Sequence, residues 1–186
     1  MHPQIEFKHD GLVLDACILI NLNASGQMEA ILRSIPPQVA VAAYVSENEI
    51  RSFDLQPFID KGLLIVVDID LASDADTNRV ANYANALGAD GEAYTGAIAV
   101  SKNWAIGTDE RRVLKYFERE MPHLQRITTH ELVKHWADTT MPARETVLLA
   151  LEQIAIIGKF VINAQHPCFE WTLRMTEKKS EVITDL

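Results

Sequence analysis

Residues 88–112 read GADGEAYTGAIAVSKNWAIGTDERR. Asp90 and Glu92 stand at the front of a small-residue segment whose spacing predicts a helix over about 91–102. The apolar run WAIGTD (104–109) follows at once, reads as a buried strand, and delivers the chain into Asp109 and Glu110. Carboxylates therefore bracket a helix and the strand after it.

The same alternation extends to both sides. GLVLD (11–15) is a short apolar run behind a glycine, a buried strand that ends on Asp15. ACILINLNASG has helical spacing and stops at Gly26. QVAVAA (38–43), after Pro36 and Pro37, is a second strand, and YVSENEIRSF (44–53) a helix. GLLIVVDI (62–69) is a third strand, followed by helical spacing over about 75–88 that ends on Gly88. ERRVLKYFERE (110–120) is a charged amphipathic helix, LQRITT (124–129) a short fifth strand, and HELVKHWAD (130–138) a helix.

Strands alternating with helices through short links predict an α/β fold, a three-layer α/β/α sandwich on a mostly parallel central sheet of about five strands. That domain spans 11–140. From 141 to 186 the pattern turns helical, with a break near Gly158, one more helix and then a frayed end. This extension is expected to pack on the α/β core or on a partner.

Composition narrows the function. A chain of 186 residues with 48% hydrophobic content can bury a real core. Its net charge of −9 argues against a whole surface built to grip nucleic acid. A local basic patch, or an acidic pocket that takes cations, remains compatible. Cys17 and Cys168 lack metal-ligand spacing and suit a reduced, cytoplasmic setting. MHPQIEFKHDG has no apolar signal core, and no apolar run reaches the roughly 18 residues of a membrane span. There is no GxGxxG and no phosphate-binding GK[ST] loop. In HELVKH the histidines are five apart, not the four a zinc-protease helix needs, so His130 and His135 read as surface or half-buried residues.

The acids carry the chemistry. Asp15 closes the first strand and Asp109 the fourth, so in a parallel sheet both open onto the edge where ligands bind. On a helix over 44–53, Glu49 falls within the apolar arc of Tyr44, Val45, Ile50 and Phe53. Glu92 shares a helical face with Gly96 and Ala99, small residues that let something approach closely. Four converging carboxylates repel one another. A hard dication, Mg²⁺ or Mn²⁺, removes that penalty, keeps several waters and can orient a phosphate for hydrolysis.

LVLDACILINL, YVSENEI, ADGEAYTGAIAV and AIGTDERR, in that order, resemble the motifs of PIN-domain proteins over about residues 11–130. That family is one of metal-dependent ribonucleases, many of them VapC-type toxins of toxin–antitoxin pairs. The resemblance implies Asp15, Glu49, Glu92 and Asp109 as metal-holding and catalytic residues, with Thr108 orienting the site. Asp90 and Glu110 become auxiliary acids. It also implies an RNA substrate, and leaves room for an antitoxin protein as partner and for a homodimer. The sequence departs from the pattern at Cys17, where a small hydroxyl residue is usual, at Glu110, at Gly96 and in the long tail. Cys17 is a poor Mg²⁺ ligand and is expected to serve packing.

Each acid also has a plain structural reading. Asp15 and Asp90 suit helix caps, Thr108 or Asp109 suits a cap for the helix after them, and Ser46 with Glu49 matches a capping box. Arg111, Arg112, Lys115 and Arg119 form either a solvated helix face or a phosphate grip beside Asp109, with Arg111 and Arg112 as substrate-binding residues and Lys102 and Lys134 as contributors. The expected activity is a divalent-metal-dependent endoribonuclease. The alternative is a PIN-like module without catalysis that binds protein or RNA.

Overall fold

All four residues of β1 (Gly11–Leu14) are buried, as a central strand covered on both faces requires. β1 pairs in parallel with β2 (Gln38–Ala42) on one side and with β4 (Ala105–Gly107) on the other. β3 (Ile65–Val67) extends the sheet beyond β2, and β5 (Arg126–Ile127) extends it beyond β4. The structure, a computed structural model, describes residues 5–177. Its sheet runs in the order β3-β2-β1-β4-β5, with every pairing parallel.

Parallel neighbours need crossovers, and these supply the helices. α1 (Ala16–Ala24) and α2 (Met28–Ser34) join β1 to β2. α3 (Ala43–Asn48) and α4 (Gln56–Asp60) join β2 to β3. α5 (Asp74–Leu87) and α6 (Asp90–Lys102) carry the chain back across the sheet to β4. α7 (Arg111–Glu120) leads into β5, and α8 (Thr129–Thr140) follows it. α1, α2 and α8 pack together, as do α5, α6 and α7, and α6 lies on β1, β2 and β4. The molecule is a three-layer α/β sandwich.

Local signals set the boundaries. Ser73 caps α5 by accepting from the Asp76 N–H, and Gly88 ends it in the left-handed region at φ 69°. Thr128 and Glu131 form a capping box on α8. Gly96 admits the Phe117 ring, since a Cβ there would sit 2.4 Å from Phe117 Cζ. The close approach expected on the Glu92 face is thus the packing of α6 on α7.

Several boundaries differ from the sequence reading. The strands are shorter than their apolar runs, because only residues with a parallel neighbour enter the ladder. α2 and α4 were not expected. α3 stops at Asn48 rather than continuing to 53, since the Glu49 and Ile50 N–H groups both turn back to the Val45 carbonyl. Ser46 lies inside α3 and makes no capping box with Glu49.

The C-terminal extension belongs to the same core. α9 (Arg144–Ile156) packs on α1 and α10 (Phe169–Thr176) on α9. Val147, Ala150, Leu151, Ile154 and Trp171 are buried in the cluster that contains β1. The helix break near Gly158 is present, and the Gly158 backbone lies against Asn21 Oδ1. The frayed end expected after α10 falls outside the described residues. No helix among them is long and apolar enough to cross a membrane.

Candidate metal centre

The strand order reverses between β1 and β4, because β2 and β3 lie to one side and β5 to the other. In open parallel sheets, ligands bind outside the carboxyl ends of the strands at such a reversal. Asp15 follows β1 and Thr108–Asp109 follows β4. Asp15 N–H donates to the Gly107 carbonyl at 2.9 Å, so the two strand ends are tied together where the acids emerge.

Asp15 is 3% exposed. Its Oδ1 accepts from the Ala16 N–H at 2.9 Å, capping α1, and its Oδ2 accepts from Thr108 Oγ1 and Cys17 Sγ, both at 3.3 Å. These donors favour the anion. Burial outweighs them and, with the Glu92 charge, pushes the Asp15 pKa up to about 7, Glu49 adding a smaller contribution. Thr108 is fully buried and also accepts from the Glu110 N–H. It orients Asp15 and ties down the start of α7.

Glu49 is half-buried, and the end of α3 places it there as the helix C-cap rather than as a member of an apolar helical face. Its carboxylate lies over the backbone of Gly91, where a Cβ would come within 2.2 Å of Oε1. Burial and then the Glu92 charge raise its pKa, against the pull of the Gly91 N–H. Asp15 and Glu49 thus both respond to the Glu92 charge. None of them is among the ion pairs of the described residues. The other first-turn acid of α6, Asp90, accepts from Tyr44 Oη at 3.1 Å, and Tyr44 stacks on Tyr94 with centroids 4.7 Å apart. Asp90 is not the α6 cap; that position is Ala89.

Asp109 is held differently. Oδ1 accepts from the Thr129 N–H at 2.9 Å, and Oδ2 accepts from Thr129 Oγ1 at 2.5 Å and Asn21 Nδ2 at 2.8 Å. It therefore satisfies the first N–H of α8, beside the Thr128 cap, and does not cap α7, whose N-cap is Glu110 without a side-chain bond. Burial raises the Asp109 pKa to about 6. Between the two aspartates sits Cys17, which accepts from the Asp109 N–H and donates to Asp15. Its place is in the site rather than in packing alone, and burial followed by the charges of Asp15 and Asp109 keeps the thiol protonated. Asn21 and Thr129 were missed by the sequence reading. The available signal was a polar residue among the apolar positions of ACILINLNA.

The donor set, carboxylate oxygens in none of the ion pairs among the described residues, has the chemistry of a hard-dication site. The geometry is that of a rim rather than a finished cage. Among the described residues no three His, Cys, Asp or Glu side chains converge closely enough to hold an ion. Mg²⁺ suits such a rim, since it takes one or two carboxylates and keeps waters for the rest.

Arg111 and Arg112 are exposed on the first turn of α7. With Lys115 and Arg119 they line a concavity of about 660 Å³, and Arg111 and Lys115 also border the cleft of about 340 Å³ onto which Asp109 opens. Glu110 is exposed beside them. Lys102 is at the opposite end of α6 from Glu92, its Nζ 5.3 Å from the Trp104 ring centroid. Lys134 is buried and paired with Asp138. Neither takes part in this basic surface. His130 and His135 are also buried, not surface residues.

No protein-family model matches the chain, and no curated protein or solved structure matches it.

Proposed function

We propose that the chain is a divalent-metal-dependent endoribonuclease of PIN-like type, with its site at the Asp15–Asp109 strand ends. The observation that supports this reading is buried Asp15 at the strand-order reversal, whose pKa is raised by burial, then by the Glu92 charge and least by that of Glu49, with Asp109 at the end of the neighbouring strand. A site paired for stability alone would hold a Lys or Arg among them. Mg²⁺ or Mn²⁺, when bound, supplies charge neutralisation, polarises the scissile phosphate and acidifies the water that attacks it.

The residues have distinct tasks. Asp15 and Glu92, with Glu49, hold the ion directly or through waters. Thr108 keeps Asp15 Oδ2 oriented. Asp109, fixed by Asn21 and Thr129, contributes its remaining Oδ1 capacity from the β4 side. Asp90 and Glu110 are outer acids. Arg111 and Arg112 hold RNA phosphates and draw the polyanion to a protein of net charge −9. The wider family reading, a toxin with an antitoxin partner or a homodimer acting in the cytoplasm, rests on the motif resemblance.

The test is cleavage of RNA by purified protein with Mn²⁺. Asp15→Asn should abolish metal-dependent cleavage while the fold, read by circular dichroism, is retained. Cleavage at the wild-type rate by that variant would remove Asp15 from the chemistry. A second reading, a PIN-like module that binds RNA or protein without cutting, is favoured by the open rim and by the three bonds already on Asp109. RNA binding by α7 with no metal-dependent turnover is its signature.

A further inference from the structure

α7 separates two concavities of different charge. On one side Arg111, Arg112, Lys115 and Arg119 line a space of about 660 Å³, bordered by Ala86 and Leu87 from the last turn of α5. No Asp or Glu lines it among the described residues. On the other side lies the cleft of about 340 Å³, where Arg111, Lys115 and Arg126 meet Asp109, Glu118 and Glu131. Three cations there face three acids, and burial lowers the pKa of His166, which adds no charge. Arg111 and Lys115 belong to both spaces, so a strand leaving Asp109 has two ways past α7.

We infer that an RNA strand leaves the candidate metal site through the α5–α7 concavity, with several phosphates beyond the scissile one held by Arg111, Arg112, Lys115 and Arg119. This rests on the nuclease reading and adds a substrate class to it, an oligonucleotide rather than a dinucleotide. A polyanion is drawn where cations stand unopposed. Arg111 to Arg119 rise about 12 Å along the helix axis. That exceeds one step of a strand whose stacked phosphates advance about 3.4 Å each. Three of the four cations are Arg, whose planar forks bond phosphate oxygens in pairs. A helix C-terminus also attracts cations, and a Cβ on Gly88 would stand 3.3 Å from Arg112 Nη1. The roughly half charge at the end of α5 accounts for one guanidinium, not for four cations. Arg119 pairs with Glu120, both exposed, a bond worth little in water that exchanges readily for a phosphate. The half-buried Tyr116 ring lies under the Arg119 guanidinium, 5.9 Å from centroid to Cζ, and holds it over the concavity.

The experiment measures binding of octauridylate and of uridylyl-uridine in EDTA by calorimetry across a salt series. Four phosphate contacts give octauridylate a log–log slope of about −2.8, and the dinucleotide one no steeper than about −0.7. Arg119→Ala, at an exposed side chain, should bring the octauridylate slope to about −2.1. Ala86→Glu, exposed on the α5 wall, should weaken octauridylate by about fivefold, the worth of one like charge at contact in water. Gln165→Glu, exposed on the wall of the other cleft, should leave it within about twofold, because salt screens the distance between them. Failure of octauridylate to bind overturns the inference, as does an unchanged slope in Arg119→Ala. Weakening by Gln165→Glu but not by Ala86→Glu puts the strand in the other cleft and overturns the route. Equal affinity for octaglutamate overturns RNA as the occupant and assigns the concavity to an acidic protein segment. Binding is read without metal, so absence of Mn²⁺-dependent cleavage counts against the nuclease reading alone. Cleavage with the slope unchanged in Arg119→Ala counts against the route alone.

Discussion

Asp15 does two things at once that compete. Its Oδ1 caps α1, which any helix-start aspartate does, yet its burial beside Glu92 raises its pKa to about 7. The sign of the consequence is fixed. Between about pH 4 and 7 the folded chain holds a proton on Asp15 that the unfolded chain has lost, so this residue's contribution to stability falls as pH rises through that window and is level above it. His130 acts oppositely, since the unfolded histidine gains a proton as pH falls below about 6.5 and the buried one does not. Comparing wild type with Asp15→Asn isolates the carboxylate. Without metal at pH 8, Asp15→Asn is expected to raise Tm, because Asn keeps the cap and removes the buried charge. Calorimetric scans at pH 4.5 and 8 check this, and a lower Tm at pH 8 would contradict it. Gly91 offers a companion test. Alanine there gains helix propensity of about 1 kcal/mol but drives the flexible Glu49 carboxylate from a contact of 2.2 Å. Gly91→Ala should leave Tm nearly unchanged and weaken Mn²⁺ binding, and unaltered affinity would show that Glu49 stands outside the site.

At the scale of elements, the strand ends position Asp15 and Asp109, and helix termini position what surrounds them. Asn21 from α1 and Thr129 from the start of α8 hold Asp109 by three bonds. Asn21→Ala is expected to cost about 1–3 kcal/mol, the price of stranding a buried partner, with the loss read by urea unfolding. An effect under about 0.5 kcal/mol would mean the bond is not holding Asp109. This layer was only partly legible in the sequence. β1 and β4 were readable because a fully buried strand leaves an unbroken apolar run, and their terminal acids follow from it. Asn21 and Thr129 were not, because polar residues in a helix or at a strand end look alike whether they face solvent or a carboxylate. Glu49 lies over the start of α6 for a different reason than its sequence suggests. Helical periodicity put it on an apolar face, whereas the early end of α3 swings it over Gly91.

For the whole molecule, topology decides which strand ends are neighbours. The order β3-β2-β1-β4-β5 could not be derived from the pattern of apolar runs, which gives parallel strands but not which pair. That order sets Asp15 and Asp109 on neighbouring strand ends, across the reversal. The expected division at residue 140 is a division in pattern, not in packing, since α9 buries Val147, Ala150 and Leu151 in the common core. A fragment ending at 140 is therefore expected to be unfolded by circular dichroism; a cooperative thermal transition in it would contradict this. The basic side chains of α7 stand against a net charge of −9, so RNA affinity should fall steeply with salt. Arg111→Ala and Arg112→Ala should each flatten the log–log slope by about 0.7, the value for one single-strand phosphate contact.

Isothermal titration of Mn²⁺ into the metal-free protein at pH 7.5, for wild type and Asp15→Asn, bears most directly on whether these carboxylates share a cation. One saturable site in wild type, lost in Asp15→Asn while the fold persists, is the predicted result. Absence of Mn²⁺ binding in the folded wild type, or equal binding in both proteins, would leave the four acids as helix caps and rim charges without a metal to join them.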